Sequence, residues 1–149
     1  MIFLGRAVQF GLSANRVRWP RSVGPELAER LGGCPVRVYR DAHALRHPAD
    51  GEHLDVRGVV GHVQRGVVTA DGVEALVEVV DPRVSEALLA LERDGLLARV
   101  GLSLKADVLC RSAVEMGSVV RRVLEVLGVV ALDCVSRPSA GGRLLRSIP

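Results

Sequence analysis

Ser103 sits in the run Arg99-Val100-Gly101-Leu102-Ser103-Leu104-Lys105-Ala106, two residues after a glycine and between two leucines. A serine hydroxyl is a poor nucleophile until a neighbouring base takes its proton, and histidine does this near neutral pH. The chain offers four histidines, His43, His47, His53 and His62, confined to one stretch of sequence. A third group must hold the imidazole in one tautomer. Asp133, alone between Leu132 and Cys134 in an otherwise apolar run, is the candidate. The three need only meet in space, on adjoining strands. The plainer readings are an ordinary strand serine at 103 and, at 133, a carboxylate that points to solvent. The pattern is not the G-x-S-x-G elbow, because Lys105 stands where its second glycine would be.

Metal chemistry finds less support. There is no H-E-x-x-H, and His43 and His47, though four apart, are followed at once by Pro48. Cys34, Cys110 and Cys134 are odd in number, far apart and without a C-x-x-C pair. Neither a disulfide framework nor a cysteine-built zinc site is expected, no cofactor is implied, and a reducing compartment suits the chain.

The elements that must position these residues follow from periodicity. With 149 residues, 48% hydrophobic and only 3% aromatic, residues 1–149 read as a single domain whose core is built from Val, Leu and Ala. Strands are expected at 2–12, 17–19, 36–39, 58–64, 73–80 and 97–109, and a last pair at 119–127 and 129–135 parted by Gly128. The serine strand places Val100, Leu102 and Leu104 on one face and Ser103 on the other. A short helix over 25–31 is expected to be capped by Ser22 and stopped by Gly32 and Gly33. A second helix starts at Asp81-Pro82, carries Val84, Ala87, Leu88 and Leu91 on its inner face, and ends at Gly95. Residues 136–143 read as a tail. About seven strands and two to three helices with short connections predict a mixed, mainly β fold: a small closed or barrel-like antiparallel sheet with helices outside.

Twenty basic residues, of which only Lys105 is lysine, against seventeen acidic ones give a net charge of +3 spread along the chain. Trp19, Tyr39, Phe3 and Phe10 are few for base stacking, so a nucleic-acid partner is not expected. Arg6 and Gln9 interrupt the apolar start too early for a signal peptide's core, and no run approaches the ~20 apolar residues of a membrane span.

Three segments, in order, resemble the prohead maturation proteases of tailed bacteriophages, relatives of the herpesvirus assemblins. The first is Pro35-Val36, then Asp41-Ala42-His43 and His47-Pro48, then Val59-Val60-Gly61-His62-Val63. The second is Gly95 through Leu104, similar to the family's helix followed by Gly-Leu-Ser-Ile. The third is Leu132-Asp133-Cys134-Val135-Ser136-Arg137-Pro138-Ser139-Ala140-Gly141-Gly142-Arg143, similar to its Val-Asp-x-Val-x-x-Pro-(Ala/Ser)-Ala-Gly-Gly ending. Arg16-Val17-Arg18-Trp19-Pro20 ahead of Glu26-Leu27 resembles the family's opening. Each motif is short; order and spacing carry the likeness, which spans most of the chain.

The resemblance implies an assemblin-like fold and a serine endopeptidase with Ser103 as nucleophile and Asp133 as third member. For the base it implies His47, which has the family's following proline, or His43. Ala42 stands where the family has aspartate directly before histidine, a departure that leaves His43 and His47 both open. His62 reads as a strand residue facing elsewhere. Arg143, with the amides near Gly141 and Gly142, would serve the oxyanion; a turn with a surface arginine is the bland alternative. The implied substrates are scaffold and capsid proteins inside a procapsid in the host cytoplasm. A homo-oligomer is implied, and no membrane. The rival expectation is a barrel of the same ancestry that no longer catalyses and acts in capsid assembly.

Overall fold

Valine and leucine at alternate positions dictate most of this molecule. In the computed structural model, which describes residues 1–39 and 58–149, the sequence Gly72-Val-Glu-Ala-Leu-Val-Glu-Val79 is a strand with Val73, Ala75, Val77 and Val79 buried and Glu74, Leu76 and Glu78 on the other face. The same alternation builds β1 (Ile2–Gln9), β4 (Pro35–Val38), β5 (Val59–Val68), β6 (Gly72–Val79), β7 (Gly101–Glu115) and β8 (Ser118–Val135). Two short segments, β2 (Gly11–Leu12) and β3 (Val17–Trp19), and a final strand β9 (Arg143–Ile148) complete the set.

The strands join in the order β8-β4-β5-β6-β1-β9-β7, and β7 pairs back onto β8, so seven strands close a ring. The expected mainly β, closed sheet is the observed architecture. One pairing departs from the expected antiparallel pattern: β4 runs parallel to β8, and the other six ring pairings are antiparallel. The short segment β3 also lies parallel to β8, with β2 outside it. The interior is filled by Phe3, Val36, Val63, Val73, Val77, Leu102, Leu132 and Leu144, each almost wholly excluded from solvent. At ~1.5–3 kcal/mol per fully buried side chain of this kind, ring closure rests on aliphatic packing with little aromatic help.

Among the described residues two helices, α1 (Gly24–Leu31) and α2 (Pro82–Arg93), lie against the ring. α1 buries Leu27 and Leu31 and packs on β5, β6 and β8. Its cap is not Ser22: the chain first makes a 3-10 turn, Arg21–Val23, and Val23 holds the N-cap position without a side-chain bond. Pro25 near the helix start needs no donor there, so the helix begins without a hydroxyl cap. For α2 the expected cap is the observed one: the Asp81 carboxylate accepts from the amides of Arg83 at 2.9 Å and Val84 at 3.4 Å. Leu88 is its buried anchor, with Val84 and Leu91 half-buried; Ala87 instead faces solvent, and Leu89 packs in its place.

Three boundaries differ from expectation for local reasons. Leu97–Arg99 forms a 3-10 turn after Gly95, whose φ of +70° turns the chain, so β7 starts at Gly101 and continues to Glu115. Gly128 does not divide two strands. Asp107 pairs with Gly128 and Val108 with Val126, so Leu127 is an extra, bulged residue of β8, which continues through that point as one strand. At the bulge the Val126 amide donates to the Glu26 carboxylate of α1 at 3.3 Å. The tail past Gly142 is β9, wedged between β1 and β7, and it closes the ring. Among the described residues no helix is long and apolar enough to cross a membrane.

Candidate functional site

Alternation along β7 puts Leu102 and Leu104 against the core and Ser103 on the outer face of the ring. Alternation along β8 does the same for Leu132 and Cys134 inside and Asp133 outside, and along β4 for Val36 inside and Arg37 outside. Register then brings the three outer residues into one row. Ser103 lies directly opposite Asp133 across the β7–β8 pairing, and Arg37 directly opposite Asp133 across the β8–β4 pairing. Directly opposed residues hold their Cβ atoms about 5 Å apart on the same face. The serine and aspartate singled out by type are therefore neighbours.

Both are buried although they lie on the outer face: Ser103 is 7% exposed and Asp133 0%. The solvent-pointing alternative for Asp133 is thus excluded. Its charge is met by a two-pronged ion pair, Arg37 Nε to Oδ1 at 2.6 Å and Nη2 to Oδ2 at 2.8 Å. The planar guanidinium fixes the plane of the carboxylate. A carboxylate's two oxygens carry about four acceptor positions in all, and Arg37 takes two of those of Asp133. The hydrogen bond from Arg37 raises that guanidinium's pKa, with burial opposing and the charge of Asp133 assisting. The thiols nearby feel the same environment. Burial, helped by the negative charge of Asp133, pushes Cys134 up to about 12 and Cys34 up to about 11. Both stay protonated and neither is poised as a nucleophile.

His43 and His47, the two expected bases, and His53 lie outside the described residues. His62 is on β5, opposite Pro35 of β4 and Glu78 of β6, with Nε2 3.5 Å from a Glu78 carboxylate oxygen. Three strand spacings separate it from β7, roughly 15 Å, so it does not reach Ser103. Among the described residues no group of His, Cys, Asp and Glu could hold a metal ion, and Cys34, Cys110 and Cys134 are free thiols.

Gly142 and Arg143 flank the row on the other side of β7. The Gly142 carbonyl accepts from the Leu102 amide at 3.1 Å, and Arg143 is directly opposite Gly101. A methyl group on Gly142 would fall 2.0 Å from the Leu102 oxygen and 2.9 Å from those of Arg6 and Ala7, so only glycine lets three backbones meet here. The arginine that follows emerges exposed, at the edge of a cleft of about 700 Å³ beside the start of the serine strand.

Arg37 was the residue that type and spacing did not single out. Its signal was a lone basic side chain between Val36 and Val38, readable only once β4 is known to lie beside β8. Arg6 and Arg99, which border the same cleft as Arg143, come from β1 and from the turn before β7, and no spacing in the sequence joins them. Compared with known families and with curated proteins, the chain matches no family model and no curated protein.

Proposed function

We propose that this protein is a serine endopeptidase of the prohead maturation type, acting on scaffold and capsid proteins within a viral procapsid. The observation that carries the reading is the pairing of Ser103 with Asp133 on one outer face, with the carboxylate buried and held in orientation by Arg37. The segment bearing His43 and His47 departs from β4 directly after that row, since Val38 is opposite Cys134. Ser103 is two strand spacings from β4, roughly 10 Å, and the five residues from Val38 to His43 can span ~17 Å. Either histidine is within the chain's reach of the hydroxyl.

In this reading His47, or His43, takes the proton of Ser103 as Oγ attacks the peptide carbonyl carbon. Asp133 accepts from the other imidazole nitrogen and stabilises the imidazolium. The oxyanion is met by the Arg143 guanidinium, with the backbone at Gly142 shaping the approach. The proton then passes to the leaving amine, and water releases the acyl group by the same steps in reverse. Assembly as a homo-oligomer belongs to the same proposal.

One observation favours a rival. A buried Arg–Asp pair is also an ordinary way to neutralise a carboxylate, and it would suit a catalytically silent barrel that serves capsid assembly. The two readings separate in a cleavage assay. The purified chain at high concentration, with an unfolded protein as substrate, cuts it and trims itself, and Ser103→Ala does neither while keeping its fold. Equal products from the wild-type chain and Ser103→Ala, or none from either, would leave the assembly module.

A further inference from the structure

The cleft beside the serine strand is lined by three arginines, Arg6 of β1, Arg99 of the turn before β7 and Arg143 of β9. Among the described residues none of the three guanidinium groups takes part in an ion pair or hydrogen bond, and the buried Arg6 Nε finds no partner there. Elsewhere Arg18, Arg30 and Arg37 all have carboxylates. The nearest acid by register is Glu74, opposite Arg6 on β6, which lies outside the cleft and forms no ion pair with it. Unmatched positive charge around a concave surface, with one donor already stripped of water, is the arrangement that receives an anion.

Register fixes where that anion would lie. Arg6 is opposite Arg143, Arg143 is opposite Gly101, and Gly101 is two residues before Ser103 on the same face. Two residues along a strand are ~6.7 Å and one spacing across is ~4.8 Å, which puts the Cα of Arg143 roughly 8 Å and that of Arg6 roughly 12 Å from Ser103. An extended peptide advances ~3.3 Å per residue, so these distances correspond to two to four residues from the scissile bond. No aromatic side chain lines the cleft, which disfavours stacked bases and favours a carboxylate ligand.

We infer that Arg6 and Arg99, with Arg143 left to the oxyanion, form a subsite for an acidic side chain of the substrate, two to four residues from the bond that is cut. This rests on the endopeptidase reading for its position along the substrate, whereas the binding it describes does not require turnover. The test uses Ser103→Ala protein and fluorescent decapeptides that carry Glu, or Gln in its place, at each position in turn. Anisotropy in low salt shows binding of the Glu peptides at least tenfold tighter than of the Gln peptides. Arg6→Gln and Arg99→Gln, neither assigned to the catalytic machinery, each remove most of that preference, and raising the salt weakens it. Equal binding of Glu and Gln peptides, a preference that survives both variants, or tighter binding of a single-stranded oligonucleotide through the same arginines would overturn the inference. In the active chain, cleavage with no acidic preference sinks the subsite and leaves the endopeptidase. Acidic binding without cleavage sinks the endopeptidase and leaves the subsite.

Discussion

Removing the Arg37 guanidinium tests whether the row on the outer face is held together electrostatically. The Arg37 side chain is 14% exposed and that of Asp133 1%, and two contacts of 2.6 and 2.8 Å join them. With charge centres about 4 Å apart and an effective dielectric near 20, the attraction is ~4 kcal/mol. Desolvation of the two ions offsets most of it, so the pair adds little compared with an apolar replacement, and breaking it is what destabilises. Arg37→Met leaves a buried carboxylate without its guanidinium and is expected to lower stability by about 3–4 kcal/mol. Asp133→Asn leaves a guanidinium that can still draw on its exposed edge, so it costs less, about 2–3 kcal/mol. The double variant loses less than the sum, with a coupling of about 2 kcal/mol or more. Urea unfolding of all four proteins at pH 7.5 measures the cycle. Coupling below about 0.5 kcal/mol, or Asp133→Asn the worse of the two single changes, would refute the reasoning.

Four further outcomes follow from other parts of the molecule. Gly142→Ala, whose methyl would meet backbone oxygen at 2.0 Å, should cost several kcal/mol or abolish folding. Gly128→Ala, with nothing within 4 Å and no positive φ, should be neutral or stabilising by about 0.5 kcal/mol in thermal melts. Cys134 is protonated in the folded chain to about pH 12 but ionises from 9.0 once unfolded, so its contribution is complete below pH 9 and falls as pH rises. That is about 1.4 kcal/mol by pH 10 under reducing conditions; Cys34, raised for the same reason, adds a similar loss, so Cys134→Ala should roughly halve the alkaline loss and the double change with Cys34→Ala should remove it. Arg18 of β3 grips Glu115 near the end of β7 at 2.7–2.8 Å, so Arg18→Met should speed amide exchange at residues 113–119 while leaving the global unfolding midpoint within a degree or two.

Much of this was legible in the chain because the informative interactions are local. The alternation in 72–79 and the Asp81-Pro82 start of α2 needed no tertiary knowledge, and both stand as read. What failed depended on partners distant in sequence. Residues 143–148 are too short and too mixed to announce a strand, and they become β9 only because β1 and β7 leave a gap between them. Gly128 read as a break because the bulge at Leu127, which lets β8 bend there without ending, is visible only against its pairing with Asp107 and Val108 of β7. In the site, Ser103 and Asp133 stood out by residue type, while Arg37 could not. Its meaning comes from a parallel β4–β8 pairing that joins positions 96 apart in sequence.

The account stands most directly on whether Ser103 is chemically activated. A peptidyl phosphonate that reacts only with activated serines should add one equivalent to the wild-type chain, with peptide mapping placing the mass on Ser103, and neither Ser103→Ala nor the double variant His43→Ala/His47→Ala should be labelled. A wild-type chain that stays unmodified from weakly acid to alkaline pH, or that carries the label on another serine, would contradict it.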